Sequence, residues 1–443
     1  MKSVDVLIVG GGPTGVVAAG VGKDTYPDKT FMLVREEEVP MVPCGIPYIY
    51  SLLRDPEENI MGDKPIRDKG VEVVIGRAEN LNVSERTVHV NGEPVKFDRL
   101  VIATGSTPVV PPIPGIDMKG IFPVSKKLTE IRQAYDYLKD AENVVIVGGG
   151  FIGLEMADAI AKLGRKVTVV EMLPHCLQLV FDEEFCVMAE EEMKRLGIGV
   201  KTSSKVVEFT GSGKVEKVRL ESGEELDADI VFVAIGYRPN VELAKKAGIE
   251  ISPAGAIYVD EYMRTSVPGI FAAGDCAQPR DFYTKLPTRI MLASRACTEA
   301  RVVGENLFDI RSVRNVHGVI GIFSTAIGEL SLAGAGLTET RARKEGLNVL
   351  VKTVTAPDKH PGALPGTRQV TAKFIFSKCN QQILGGQLAG GLSVGEMINV
   401  VGTVIQAKMT APEVLSMQIG THPLMTPPPT AYPLVVASHN IKD

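Results

Sequence analysis

A chain of 443 residues is too long for one compact core, and at roughly 150 residues per domain it divides into about three. With 44% hydrophobic and 23% charged residues it is an ordinary globular sequence, which excludes a wholly disordered chain. A net charge of −5 without any Lys/Arg run argues against nucleic acid, and no apolar stretch reaches the roughly 18 residues of a membrane helix.

The amino terminus opens on Lys2 and an apolar run, but Asp5 and the early glycines break a signal-peptide pattern, so a cytoplasmic location is the expectation. Residues 4–15, VDVLIVGGGPTG, read as a buried strand running into a glycine turn and a helix, with a second strand, FMLV, at 31–34. In the pattern Gly10-x-Gly12-x-x-Gly15, Gly10 permits the tight turn and Gly12 lets the backbone approach a pyrophosphate. Gly15 brings the helix close to the strand, and the helix start offers its partial positive charge to phosphate. Next comes VPCGIPYIY, where Pro47 and the apolar residues after it predict a helix beginning around Gly45. RLVIATG at 99–105 closes this first unit, and the proline-rich VVPPIPG at 109–115 reads as a linker.

The signature then repeats. NVVIVGGGFIG at 143–153 carries Gly148-x-Gly150-x-x-Gly153, followed by a helix and the strand KVTVVE. Glu171 ends that strand 23 residues after Gly148, where an acid accepts a hydrogen bond from a ribose 2′-hydroxyl. Met172, Leu173 and Pro174 follow it, so no adjacent cation awaits a 2′-phosphate and NADH is favoured; NADPH is the alternative if Arg165, Lys166 or a loop residue lies near. DIVFVAIG, ending at Gly236, closes the second unit. GIFAAGDCA at 269–277 follows a turn at Val267-Pro268-Gly269. From about residue 320 the texture changes, with a strand TAKFIF (371–376), an amphipathic helix near 393–409 and a proline-rich tail at 427–433. This last part is expected to be a separate α+β domain.

Six cysteines, at 44, 176, 186, 276, 297 and 379, show neither CxxC pairs nor metal-ligand spacing, so the chain has no metal site by this reading. A free cysteine is most often buried and inert. Cys44 stands apart because a helix start lowers a thiol's pKa through the dipole and unpaired amides. The other five lack that setting.

The ordered set GGGPTG, PCGIPY, ATGSTP, GGGFIGLEMA, AIGYRPN and GIFAAGDCA closely resembles the pyridine nucleotide–disulfide oxidoreductases. More narrowly it resembles their single-cysteine branch of coenzyme A disulfide reductases, NADH oxidases and peroxidases, and polysulfide reductases. The resemblance covers nearly the whole chain and implies an FAD site containing Ala103, Thr104, Gly105, Gly274 and Asp275, with Asp275 reaching the ribityl chain. It sets Glu155 at the acidic position after the NAD glycine motif, and includes Gly236 among the cofactor residues. Where two-cysteine relatives carry a second cysteine five residues on, this chain has Ile49, so Cys44 would cycle through sulfenic acid, a mixed disulfide or a persulfide.

Departures from the pattern refine the expectation. Pro13 replaces the histidine that oxidases and peroxidases commonly carry in the first glycine loop. The acid that usually ends the second strand of the FAD unit falls on Arg35, so Glu36 beside it is taken as the ribose ligand. Asp24, Pro40 and Pro43 stand where coenzyme A contacts would be. Two tyrosines of the coenzyme A disulfide reductases, which face the cysteine of the partner subunit, become His360 and His422, and imidazole is a competent general acid near neutrality.

The expected fold is therefore α/β: two Rossmann-like domains plus an α+β carboxy-terminal dimerisation domain. The FAD domain takes residues 1–112 and 248–318, the NAD(P)H domain 113–247 and the dimerisation domain 319–443. The expected enzyme is a homodimer that uses FAD and NADH to reduce a small sulfur acceptor (coenzyme A disulfide, persulfide or polysulfide) through Cys44, with His360 and His422 assisting. An NADH oxidase is the nearest alternative, and an NADH-sensing flavoprotein an alternative of another class.

Overall fold

The computed structural model describes residues 1–313 and 318–441, and the chain forms two compact units. The first comprises Met1–Val110, Phe122–Asp140 and Gly236–Val319. Its sheet runs in the order Glu72–Ile75, Phe31–Arg35, Lys2–Val9, Glu93–Ile102, Thr87–Val90, Ala78–Asn82, and Ile270–Ala272 also pairs with Glu93–Ile102. The glycine-bearing end is parallel: Val6 pairs with Phe31 on one side and Arg99 on the other. Such strands are covered on both faces, which explains the unbroken apolar runs at 6–9 and 100–102. Helix Pro13–Thr25 lies against helix Ala293–Glu305, and the approach is close enough that a Cβ on Gly304 would come 2.9 Å from the Gly22 nitrogen.

The second unit comprises Pro111–Ile121, Ala141–Ile235 and Ile320–Asp443. One parallel sheet contains Gly199–Lys201, Lys166–Val170, Asn143–Val147 and Ile230–Val233, in that order. A three-stranded antiparallel sheet, Val206–Thr210, Lys217–Leu220 and Glu225–Asp227, adjoins it in sequence. After residue 320 comes an antiparallel sheet in the order Ile322–Ile327, Leu330–Gly336, Ile383–Gly390, Gln369–Ser377, Val349–Pro357. Helix Val394–Gln406 buries Met397, Ile398, Val401 and Ile405, its apolar face at the spacing of 3.6 residues per turn. The expected α+β character of this segment and its amphipathic helix are both present.

A buried ionic knot joins these two parts of the second unit. Asp182, which precedes helix Glu183–Arg195, accepts from the backbone N–H groups of Glu339 and Thr340 and from the Gln387 amide. Lys373 Nζ, nearly inaccessible, lies 3.0 Å from Asp182, 2.6 Å from Glu184 and 2.8 Å from Glu339. Burial pushes the Asp182 carboxyl up, but the surrounding donors outweigh it and hold the group at about 2.

Candidate functional site

In the first unit, strand Lys2–Val9 delivers the chain into Gly10 at φ +120, a conformation that favours glycine. A side chain there would overlap the Ala103 carbonyl, and one on Gly15 would overlap the Gly10 carbonyl. At Gly12 the result is opposite: a built Cβ meets nothing within 4 Å. The first and third glycines are thus needed for packing, while the second leaves an open approach at the start of helix Pro13–Thr25, where backbone N–H groups face outward.

Ala103-Thr104-Gly105 leaves strand Glu93–Ile102 beside this turn, with Ala103 N–H donating to Val9 O at 2.8 Å. Asn240 then fixes the loop: Thr104 Oγ1 donates to its carbonyl at 2.6 Å, and its amide donates back to Thr104 O at 2.9 Å. Gly274 and Asp275 sit on a 3-10 turn, Gly274–Cys276. The peptide of Gly274 is gripped from both ends, its N–H donating to Glu299 and its carbonyl accepting from Arg295, with Arg295 and Glu299 themselves a buried pair at 3.0 Å. Asp275 Oδ2 accepts from Ser106 Oγ at 2.7 Å and lies 3.3 Å from Lys126 Nζ, which sits over the Tyr237 ring. Asn240 closes the AIGYRPN motif, whereas Lys126, Arg295 and Glu299 lie outside every motif, and the i,i+4 spacing of Arg295 and Glu299 is the one local signal among them.

Cys44 is exposed and lies on a 3-10 turn, Pro43–Gly45. The helical run continues from there through Ile46–Tyr48 and a π-helical stretch, Ile49–Leu53, ending at Arg54 with φ 60. The expected helix start is present, but its pitch changes twice, so its dipole is not that of a regular helix. Buried Asn59 clamps the segment: its amide donates to Val42 O at 2.9 Å, and Val42 N–H donates to Asn59 O at 2.9 Å. A Cβ on Gly45 would overlap the Asn59 side chain, which explains the glycine after the cysteine.

The second unit repeats the cradle. Gly148 has φ +114, and a Cβ there would stand 2.5 Å from the Ala234 carbonyl oxygen. Gly150, like Gly12, opens on nothing within 4 Å, and Gly153 abuts the Gly148 carbonyl. Glu171 reaches back to this turn: Oε2 accepts from Gly149 N–H at 2.7 Å and Oε1 from Leu173 N–H at 2.8 Å. Each carboxylate oxygen keeps a further lone pair. Cys176 packs beneath Gly149, and burial pushes its thiol up to about 12, so it is no nucleophile. Glu155, on helix Phe151–Ala161, accepts from Thr325 Oγ1 at 2.8 Å, and burial raises its carboxyl to about 7 against that bond.

Glu36 lies at the surface, 3.6 Å from Arg77 Nε, whereas Arg35 beside it is buried. Gly236, with φ +106, belongs to the first unit, where its carbonyl accepts from Val109 N–H. His360 and His422 come together in the second unit. His360 N–H donates to Pro423 O at 3.0 Å, and its Nδ1 lies 3.2 Å from Thr426 O, so Nδ1 carries a hydrogen and Nε2 holds the lone pair. His422 is the reverse: its Nδ1 accepts from Leu424 N–H at 3.3 Å, leaving the hydrogen on Nε2 of the neutral ring. Among the described residues no group of three or more His, Cys, Asp and Glu could hold a metal, and no helix is long and apolar enough to cross a membrane.

Residues 4–300 match the family model of the pyridine nucleotide-disulphide oxidoreductases, and residues 322–431 match that family's dimerisation domain. An NAD(P)H sulfur oxidoreductase (CoA-dependent) of Pyrococcus furiosus is 33% identical over 455 residues, spanning 100% of both chains. An NADH oxidase of Enterococcus faecalis is 31% identical over 418 residues, 91% of this chain and 92% of that one. The solved structure of an NAD-dependent persulfide reductase from A. fulgidus superposes with a TM-score of 0.91 at 31% identity, covering 98% of this chain and 82% of that one.

Proposed function

The chain belongs to the pyridine nucleotide-disulphide oxidoreductase family, and from that premise we propose that it uses NAD(P)H to reduce a disulfide, persulfide or polysulfide at Cys44. Both cradles fit the family's two dinucleotides, FAD and NAD(P)H, because each leaves open the one glycine position where a pyrophosphate must approach. We assign FAD to the first cradle, with Gly10, Gly12, Gly15, Ala103, Thr104, Gly105, Gly274 and Asp275, and NAD(P)H to the second, with Gly148, Gly150, Gly153, Glu155 and Glu171. Gly236 joins the cofactor set on family grounds, whereas Glu36, expected as the ribose ligand, lies at the surface against Arg77; the three-domain division at 1–112 with 248–318, 113–247 and 319–443 follows the same assignment. FAD, when bound, supplies the hydride chemistry that couples nicotinamide to sulfur.

The observation that carries the proposal is the exposed thiol of Cys44 at a helix start with Ile49, not a second cysteine, five residues on. As a thiolate it attacks one sulfur of the acceptor, forms the new S–S bond and expels the other sulfur, which takes up a proton. Nδ1 of His360 is already committed to a carbonyl, so Nε2 is free to carry and release that proton; His422 instead offers a fixed Nε2–H donor. The match to a dimerisation domain supports a homodimer in which these histidines serve the partner subunit's site. A reducing, cytoplasmic setting suits cysteines scattered as these are.

The test is an anaerobic screen of NADH and NADPH consumption with coenzyme A disulfide, polysulfide and glutathione disulfide side by side. Turnover with a sulfur acceptor supports the proposal. No turnover with any sulfur acceptor, together with NADH consumption once oxygen is admitted, supports the second reading, an NADH oxidase, which the similarity to the Enterococcus faecalis enzyme favours and Pro13 disfavours.

A further inference from the structure

The two cradles are equivalent in register but opposite in charge at one corner. Gly10 N–H donates to Val34 O at 2.8 Å, and Gly148 N–H donates to Val170 O at 2.8 Å. The next residues, Arg35 and Glu171, therefore occupy the same place in each unit. Both lie against the middle residue of the glycine turn: Arg35 Cβ would be 2.7 Å from a Cβ on Gly11, and Glu171 Cβ 3.0 Å from one on Gly149. Glu171 is satisfied at both oxygens, each accepting from a backbone N–H and keeping a lone pair for the ribose.

Arg35 is not. It is 6% exposed, its Nη2 donates to Glu38 O at 3.1 Å and lies 2.9 Å from Asp63 Oδ2, and its Nε and Nη1 are buried with no hydrogen-bond partner among the described residues. A buried guanidinium with donors unmet is disfavoured unless something else supplies the acceptors. Asp63 Oδ2 is hydrogen-bonded to neither arginine among the described residues, and Arg67 Nη2, 3.0 Å from it, remains as its counter-charge if Arg35 moves. The guanidinium can thus leave Asp63 for a ligand without stranding a carboxylate. Glu36 offers no competing anion at the corner, since its side chain points to Arg77 at the surface.

We infer that the first cradle reads the ribose of its adenosine with a cation, Arg35 donating to ribose oxygens, where the second cradle reads its own with the anion Glu171. The ligand class is an adenosine dinucleotide whose ribose corner presents acceptors, either hydroxyl oxygens or an esterified phosphate. The inference rests on the assignment of FAD to the first cradle. A consequence separates it from mere packing: a guanidinium prefers an oxyanion at the 2′ position, whereas a carboxylate rejects one.

The experiment uses apoprotein refilled with FAD, with binding followed by flavin fluorescence. Displacement of FAD is compared between 5′-AMP and adenosine 2′,5′-bisphosphate, which differ only in the 2′-phosphate, and the flavin signal reads the first cradle alone. In the parent the 2′-phosphorylated competitor should displace FAD about tenfold more effectively, the worth of one charge-assisted contact. The ratio should fall to about one in Arg35→Met and invert in Arg35→Glu, as expected when the cation is removed or reversed. A ratio is insensitive to a general loosening of the fold, so partial damage by a variant does not mimic the result. The same ratio in parent and Arg35→Met would overturn the inference and leave Arg35 a packing residue. Gly12→Val serves as the check on the underlying assignment: it should abolish FAD binding, and undiminished binding would overturn the assignment itself.

Discussion

Gly148 and Gly150, two residues apart in the second cradle, should respond oppositely to the same methyl group. At Gly148 a Cβ would stand 2.5 Å from Ala234 O and 2.9 Å from Ala234 C, both backbone atoms that no rotamer change can move. Restoring an ordinary C···O contact of about 3.3 Å requires a shift of about 0.8 Å between two strands of a parallel sheet. Overpacking of this kind costs about 1–3 kcal/mol, and holding alanine at positive φ adds about 1–2. Gly148→Ala should therefore lose about 2–5 kcal/mol of local stability, seen as a lower urea midpoint by circular dichroism. Gly150 has φ −81 and ψ −177, which alanine adopts freely, and open space around its Cβ. Its weaker capping and the reduced freedom of the unfolded chain offset each other to within about 0.5 kcal/mol. Yet the methyl fills the approach of the pyrophosphate, so KM for NADH should rise at least about tenfold while the urea midpoint stays put. A Gly150→Ala enzyme with parental KM, or equal destabilisation by the two substitutions, would refute the division of labour between these glycines.

Three further outcomes follow from the same structure. Lys373→Met should lower the urea midpoint by the equivalent of about 3 kcal/mol, because it leaves the buried Asp182 without its cation and Glu339 with Arg343 alone; a change under about 0.5 would contradict the ionic knot. Glu155, raised by burial to about 7, stays protonated in the folded state while its unfolded counterpart ionises near 4.5. Stability from this group is whole below the lower value and is lost as pH rises through the higher one, so Glu155→Gln should gain on the parent by about 2 kcal/mol between pH 5 and pH 8 in paired urea titrations, and a constant difference would argue against it. For the histidines, His360→Phe should lower kcat with a sulfur acceptor by about a hundredfold while flavin reduction by NADH stays unchanged, and an unchanged kcat would count against its role as proton donor. Mixing Cys44→Ser chains with His360→Phe chains should restore activity in one of the heterodimer's two sites, and failure with heterodimers verified would count against action across the interface.

What could be read from the chain alone was what is local. Each glycine cradle is written in six consecutive residues plus the apolar strand before it, so Gly10 to Gly15 and Gly148 to Gly153 appear in sequence as they do in space. Glu171 was accessible for the same reason, one strand and one helix later. The supports of the site were not. Lys373 meets Glu184 across 189 residues, and Lys126 meets Asp275 across 149, distances at which no periodicity carries information. Asn59 is hidden differently: it stands fifteen residues past Cys44, at the end of a 3-10 helix, Pro56–Asn59, in a polar stretch that carries no mark of its contact with Gly45. The change of pitch after Tyr48 also lay beyond pattern, since Ile49–Leu53 is apolar and regular as written. Arg35 was visible as an anomaly in sequence, but its burial and unmet donors belong to the structure.

The central claim is that electrons from the nicotinamide reach a sulfur acceptor only by way of Cys44. The direct measurement is a paired anaerobic experiment on the parent and on Cys44→Ser: bleaching of the bound flavin by NADH, then steady-state NADH consumption with polysulfide. Both proteins should retain FAD and bleach alike, and the serine variant should lose turnover with polysulfide by at least about a thousandfold, as expected when a nucleophile is removed from a reaction that has no substitute for it. Polysulfide turnover near the parental rate in Cys44→Ser, with the flavin still reduced by NADH, would contradict the account.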